Sequence, residues 1–107
     1  MKLKMYAIHD NQAEIFMRPM YFNTEGLAKR AFLNALVSEE SEISRFPADY
    51  ALYEIGEYDD ENGIPAGKVP ERICTGTELL TQRKADVERI AALHQEIDEI
   101  QSPGGTQ

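Results

Sequence analysis

The sequence predicts an α+β fold: a small antiparallel sheet of about four strands, one packing helix and a long C-terminal helix. Three observations predict it: period-2 alternation near the amino terminus, two turn signals that each separate a pair of strands, and helical periodicity in two later segments. The predicted order is strand, strand, helix, strand, strand, helix, which is typical of the α+β class. We predict a single domain over residues 1–101 and a flexible tail over 102–107.

The first hairpin is predicted from alternation and turn chemistry. Residues 2–9 alternate as a strand does, and the polar residues 10–12 favour a turn before a second strand over 14–22. Pro19 has no N–H to donate to a ladder. We therefore expect it at a sheet edge or where the pairing ends.

The first helix is predicted from apolar side chains at three- and four-residue spacing between Leu27 and Leu36. Either Asn23 or Thr24 is suited to cap it. The acidic run over residues 38–42 then predicts a helix end or a loop.

The second hairpin is predicted from a strand over residues 49–58 and a turn over 59–63, which ends in the Asn-Gly pair favoured in hairpins. The returning strand, 68–74, has a weaker pattern because Pro65 and Pro70 interrupt it.

The last helix is predicted to run from about residue 77 to 101. Thr75 and Glu78 have the spacing of a capping box at its start. Isoleucine and leucine recur along it at 3-4-3 spacing, so the helix either packs on the sheet or pairs between chains. We predict a homo-oligomer whose contact residues are Ile90, Leu93, Ile97 and Ile100.

Composition excludes several classes of protein. Cys74 is the only cysteine of the 107 residues, so neither an internal disulfide nor a cysteine-based zinc site can form. We interpret it as a small core side chain in a protein of a reducing compartment. No segment approaches the ~18 apolar residues of a membrane span, and the amino terminus lacks the apolar core of a secretory signal.

The charge is acidic and unevenly distributed. A net charge of −8 argues against binding to nucleic acid through phosphates alone. Residues 1–37 nevertheless carry five basic and three acidic side chains, whereas residues 38–63 carry one basic and nine acidic. A cationic face near the amino terminus is therefore compatible with the sequence, as is an acidic partner-binding segment.

No catalytic motif is present. If Asp59 began a calcium loop, Gly63 would come one place early and Pro70 would occupy the place of the bidentate glutamate. Neither His9 nor His94 belongs to a metal motif. We predict a protein that is not an enzyme and that uses no cofactor or metal. A metal-dependent nuclease is the weakest alternative, because it would need carboxylates that converge in space.

Basic and aromatic residues are mixed in the first hairpin. Cationic side chains beside exposed rings suit single-stranded nucleic acid, because phosphates pair with the charges and bases stack on the rings. Lys4 and Tyr6 share one strand face by parity. The alternative interpretation is that the rings are core and the lysines are ordinary surface. The candidate DNA-binding residues of the hairpin and first helix are Lys2, Lys4, Tyr6, Arg18, Tyr21, Phe22, Lys29 and Arg30.

Four segments carry a resemblance to a known family: Met1–Asp10, Arg18–Met20, Ala28–Phe32 and Phe46–Asp59. The last contains the run Pro-x-Asp-Tyr-x-Leu-x-x-Ile-Gly-x-Tyr-Asp. The sequence resembles, over about residues 1–80, the small nonstructural protein of gokushovirus-type microviruses, tailless phages with circular single-stranded DNA genomes. The resemblance implies a DNA-binding accessory in the bacterial cytoplasm that helps switch synthesis from duplex genomes to single-stranded progeny. It carries over no binding residues.

Two functions therefore compete. The first is a nonenzymatic, oligomeric phage protein that binds DNA, preferably single-stranded. The second is an adaptor whose acidic segment, residues 38–63, binds the phage replication initiator or a host replication protein. Charge reversal across Glu39, Glu40 and Glu42 would abolish partner capture only under the second.

Overall fold

The structure, a computed structural model, describes the backbone of residues 1–101 and the side chains of residues 1–98. The predicted tail, 102–107, and the side chain of Ile100 lie outside the described residues. The α+β class is confirmed. The elements in chain order are β1 (Lys2–Asp10), β2 (Ile15–Phe16), β3 (Met20–Phe22), α1 (Glu25–Val37), α2 (Glu42–Arg45), a 3-10 turn (Pro47–Asp49), β4 (Tyr50–Asp59), β5 (Ile64–Thr75) and α3 (Gly76–Gln101).

The strands form one antiparallel sheet in the order β2-β1-β4-β5, and β3 also pairs with β1. β2 pairs with the end of β1 and β3 with its middle, on the edge of β1 that β4 leaves free. The predicted second strand is therefore two short pieces. Pro19 lies between them on this edge, where the pairing is interrupted, as its missing N–H predicts.

The second hairpin turns over residues 60–63, because Asp59 pairs with Ile64 across the ladder. The carboxylate of Asp59 accepts a hydrogen bond from the N–H of Glu61 at 2.9 Å. The N–H of Gly63 donates to the carbonyl of Asp59 at 2.8 Å, with a φ of +72° at Gly63. This conformation strains a side chain with a Cβ, which explains the glycine.

β5 begins at Ile64, four residues earlier than predicted. The strand tolerates Pro65 because its outer side has no neighbour in the described sheet. Gly67 and Glu71 oppose Gly56 and Glu54, so three residues, 68–70, bulge opposite one residue of β4. Pro70 lies inside that bulge, where no ladder bond is lost.

Two short elements, α2 from the end of the acidic run 38–42 and then the 3-10 turn, lie in a part of the chain for which the sequence predicted no helix. The Ser41 hydroxyl caps α2 by accepting a hydrogen bond from the N–H of Ile43 at 3.1 Å. Ile43 is buried in the core. One apolar residue in four gives no periodic signal, so the sequence pattern could not reveal this helix.

Helix α1 packs across one face of the sheet. The Thr24 hydroxyl, rather than Asn23, caps it by accepting from the N–H of Leu27 at 3.3 Å. Cys74 is buried as predicted, and burial raises the pKa of its thiol above the ordinary 9.0. The core combines side chains from all three helices and three strands: Tyr6, Ile8, Ala28, Phe32, Leu36, Ile43, Tyr50, Leu52, Cys74 and Leu79.

Half of the predicted capping box of α3 is present: the Thr75 hydroxyl caps the helix, but the Glu78 carboxylate bonds that hydroxyl and not the Thr75 backbone N–H. The N–H of Glu78 donates to the Thr75 hydroxyl at 3.1 Å, and the Glu78 carboxylate accepts from that hydroxyl at 3.2 Å. Only the first turns of α3 join the core, through Leu79 and Leu80. None of the described helices combines the length and apolarity needed to cross a bilayer.

Candidate nucleic-acid interface

The two faces of the sheet differ in what covers them. Residues directly opposite each other in the ladder share a face, and successive residues alternate between faces. The side chains of Tyr6, Ile8 and Leu52 contact the helices. We call this side the helix face and the other side the open face. Apart from glycines, the strand residues placed on the open face by the register are Leu3, Met5, Ala7, His9, Phe16, Tyr21, Ala51, Tyr53, Tyr58, Pro65, Arg72 and Thr75.

Aromatic rings cluster on the open face. The ring centroids of His9 and Phe16 are 4.6 Å apart, and that of Tyr53 is 5.3 Å from Phe16. A second pair, Tyr21 and Tyr58, lies 5.5 Å apart. Phe16 is opposite His9 and Tyr21 is opposite Met5, four positions away along β1, which is about 13 Å at strand rise.

Small side chains lie between these rings. Ala7 is opposite Tyr53, and Ala51 is opposite His9. Both alanines are buried, yet neither belongs to the core cluster that contains the helical side chains. Phe16 and Tyr21 keep 44% and 47% of their surface exposed. The open face is thus a shallow apolar surface with accessible rings.

The strand carboxylates lie on the other side of the sheet. By the ladder register, none of the described strand residues on the open face is acidic. Arg72 of β5 is opposite Tyr53, and its guanidinium lies 3.5 Å from the Glu78 carboxylate. The strand carboxylates of the helix face are Asp10, Glu54, Glu57, Asp59 and Glu71.

Two of the three predicted stacking rings are not available to a base. Tyr6 does share a face with Lys4, but it is the helix face, and its ring is fully buried. The prediction that Tyr6 stacks on DNA is therefore corrected. Burial raises the pKa of Tyr6, and its hydroxyl has no hydrogen-bond partner in the described part of the chain. Phe22 packs against the core beside Tyr6, with 6.3 Å between ring centroids. Tyr21 is exposed.

The predicted cations do not converge on one surface. Lys2 and Lys4 lie on the helix face, where Lys4 is 3.9 Å from the Glu54 carboxylate. Lys29 of α1 pairs with Glu25 at 3.4 Å. Arg30 is exposed on α1, and Arg18 is exposed at the interrupted sheet edge.

Sequence reasoning missed four rings: His9, Phe16, Tyr53 and Tyr58. In β4 the sequence shows that Ala51 and Tyr53 lie on one face of the strand and Tyr50 and Leu52 on the other, but both faces carry apolar or aromatic side chains. Periodicity alone could not show which set faces the helices.

A second feature lies at the end of β1, where an acidic groove of about 380 Å³ opens. Burial raises the pKa of Tyr50, and the charges of Asp10 and Glu42 raise it further. Phe46, 55% exposed, forms an apolar wall. The groove is lined by Asp10, Gln12, Glu42, Phe46, Asp49 and Tyr50.

Over the described residues, no three histidine, cysteine, aspartate or glutamate side chains are grouped so that they could hold a metal ion.

The predicted oligomerisation residues Ile90, Leu93 and Ile97 do not pack on the sheet. Each retains about half of its surface exposed on the part of α3 that extends beyond the core. Of the two arrangements left open by the sequence, packing on the chain's own sheet is thereby excluded for these three side chains.

The family comparison decides what kind of protein this is. Residues 3–79 match the family described as Phage ORF5 protein, which is well over half of the chain. The chain belongs to the Phage ORF5 protein family. The match contains all of the sheet of this ORF5 protein except Lys2, and it ends at Leu79 in the first turn of α3.

No curated protein matches the ORF5 chain, and no solved structure does.

Proposed function

We propose that this ORF5 protein is a nonenzymatic phage protein that binds single-stranded DNA and assists its synthesis in the cytoplasm of the bacterial host. The observation that carries the proposal is the open face, where rings are exposed and strand carboxylates are absent. The sequence resemblance to the nonstructural protein of gokushovirus-type microviruses supports the same role.

Single-stranded DNA fits the open face better than duplex DNA does. An aromatic side chain stacks on the flat face of a base. That face is accessible only when the base is not stacked on its neighbours in a duplex. Phe16 and Tyr21 have the required exposure, and they lie far enough apart to contact different nucleotides. Stacking also tolerates a negative net charge, because it needs few phosphate contacts.

Few cationic side chains lie where they could contact the phosphates of a DNA strand bound on the open face. Arg18 at the sheet edge and Arg72 on the open face are the cations on the side of the rings, and Arg72 is itself 3.5 Å from the Glu78 carboxylate. Lys2, Lys4 and Lys29 are on the helix side, where Lys4 and Lys29 are already near carboxylates. We therefore infer that stacking supplies most of the affinity.

Fluorescence anisotropy with a labelled oligothymidine tests this proposal. Tyr21→Ala and Phe16→Ala should each weaken binding about fivefold or more, because a base–aromatic stack contributes about 1–3 kcal/mol. Phe46→Ala is the matched control: its ring is also exposed but lies in the acidic groove. The slope of log affinity against log salt should be shallow, about −1.4 for two phosphate contacts.

The outcomes separate the two candidate surfaces. Unchanged binding by the two alanine variants, with loss on Lys4→Glu and Arg30→Glu, would move the site to the helix side. Absence of binding at low salt would exclude DNA as the ligand.

The acidic groove favours a second function, an adaptor that binds a basic segment of the phage replication initiator or of a host replication protein. Asp10, Glu42 and Asp49 would meet the cations, and the Phe46 ring would pack on their aliphatic stems. Glu39→Lys, Glu40→Lys and Glu42→Lys together should abolish capture of that partner and leave oligothymidine binding intact. Retained capture by the triple variant would exclude this function.

A further inference from the structure

Helix α3 extends well beyond the core. From Thr81 to Asp98 every described residue is exposed except Asp86, which is partly buried. The described chain measures 66 × 35 × 22 Å, and the 26 residues of α3 span about 39 Å at helical rise. The last two thirds of the helix thus have no packing partner within the described chain.

An apolar stripe follows this part of α3. Val87, Ile90, Leu93 and Ile97 retain 46–53% of their surface. Helix without tertiary packing is marginally stable in water at this length, so the segment gains most from a partner that covers the stripe. The spacing of Ile90, Leu93 and Ile97 alternates three and four residues. This is the seam of a coiled coil, with isoleucine at one core position and leucine at the other.

The charges beside the stripe indicate what covers it. Toward its start lie three cations, Arg83, Lys84 and Arg89, and two carboxylates, Asp86 and Glu88, a balance of +1, and Arg89 is 3.1 Å from the Asp86 carboxylate. Toward its end lie Glu96 and Asp98. A second copy that runs in the opposite direction places its acidic end beside the basic start of the first. A parallel copy would bring like charges together.

We propose that this ORF5 protein forms an antiparallel dimer through the Val87–Ile97 stripe of α3. The two sheets then lie at opposite ends of a short two-helix coiled coil. This arrangement also keeps apart two bodies that each belong to a chain of net charge −8. The proposal does not rest on DNA binding, because the open face is complete within one chain.

Analytical ultracentrifugation of the full chain tests the dimer. The wild-type chain should change from monomer to dimer across micromolar concentrations, since the seam has few apolar layers. Ile90→Asn combined with Ile97→Asn should leave a monomer up to the highest concentration. Ala92→Asn combined with Gln95→Asn is the matched control on the opposite side of the helix, and it should still dimerise. Circular dichroism checks that the sheet stays folded in both variants.

Small-angle X-ray scattering tests the orientation. Two chains of 66 Å that overlap over about 20 helical residues, or ~30 Å, give a dimer about 100 Å long. A parallel dimer would stay close to the length of one chain. A monomer at all concentrations, a parallel dimer, or equal dimerisation by the two double variants would each overturn the proposal.

Discussion

Gly76 occupies the point where β5 ends and α3 turns into the core. A Cβ built on it would lie 2.3 Å from the carbonyl oxygen of Pro47 and 2.8 Å from a methyl group of Leu36. The first neighbour is backbone and cannot move aside. Gly76 therefore sets how closely α3 approaches the 3-10 turn and α1. Gly26, in the first turn of α1, has no such neighbour, because only the Thr24 hydroxyl lies nearby, at 3.9 Å.

These two glycines make a matched pair. Gly76→Ala should lower the free energy of unfolding by about 2–3 kcal/mol, because overpacking against backbone forces the helix outward. Gly26→Ala should raise it by about 0.5 kcal/mol, since alanine loses less entropy on forming a helix. Urea denaturation of both variants measures the difference. Equal stabilities would contradict the close approach at Gly76.

Each of the three helices begins beside a hydroxyl side chain that accepts a hydrogen bond from the backbone. Thr24, Ser41 and Thr75 each accept a backbone N–H at the start of a helix. The Thr75–Glu78 cap of α3 has an added link, because the Glu78 carboxylate also lies 3.5 Å from the Arg72 guanidinium of β5. This link is exposed, so we assign it little stability by itself. The Thr75 cap matters more, since it fixes the first turn of α3, the part of the helix that packs on the core.

Thr75→Ala should therefore lower the free energy of unfolding by about 1 kcal/mol, the usual cost of losing an N-cap hydroxyl. Thr81→Ala is the control within the same helix, because its hydroxyl only bonds back to the Thr77 carbonyl at 2.8 Å. It should be neutral or slightly stabilising. Thermal unfolding followed by circular dichroism compares the two. A larger loss for Thr81→Ala would argue against the Thr75 cap.

The stability of the whole molecule depends on keeping two buried phenols and one buried thiol protonated. Burial raises the pKa values of Tyr6, Tyr50 and Cys74 above 10.0, 10.0 and 9.0 respectively. Raised folded-state pKa values mean that the folded chain holds these protons more tightly than the unfolded chain. Their stabilisation is complete below the unfolded pKa values and is lost as the pH rises through the folded ones.

The melting temperature should consequently fall as the pH is raised above about 9. Tyr6→Phe should make this fall shallower, and it should keep or raise the stability at pH 7, because it removes a buried hydroxyl without a partner. Tyr21→Phe, which removes the same hydroxyl from an exposed ring, is the matched control. A profile that is flat to pH 11 in the wild-type chain would contradict the burial of these groups.

The sequence by itself determined the α+β class, the turn after β4, the cap of α3 and the burial of Cys74, because each depends on neighbouring residues or on composition. It also located the stripe at Ile90, Leu93 and Ile97. It could not reveal α2, because four residues hold too little pattern.

Only the tertiary structure decided which face of each strand is covered. The alternation of side chains along a strand puts Tyr6 on the same face as Lys4, and Tyr53 on the same face as Ala51. It does not determine on which face α1 packs. That choice depends on contacts between residues far apart in the chain, such as Tyr6, Phe32 and Leu52. It turned Tyr6 from a predicted DNA contact into core, and it left Phe16, Tyr21 and Tyr53 on the side where a base could reach them.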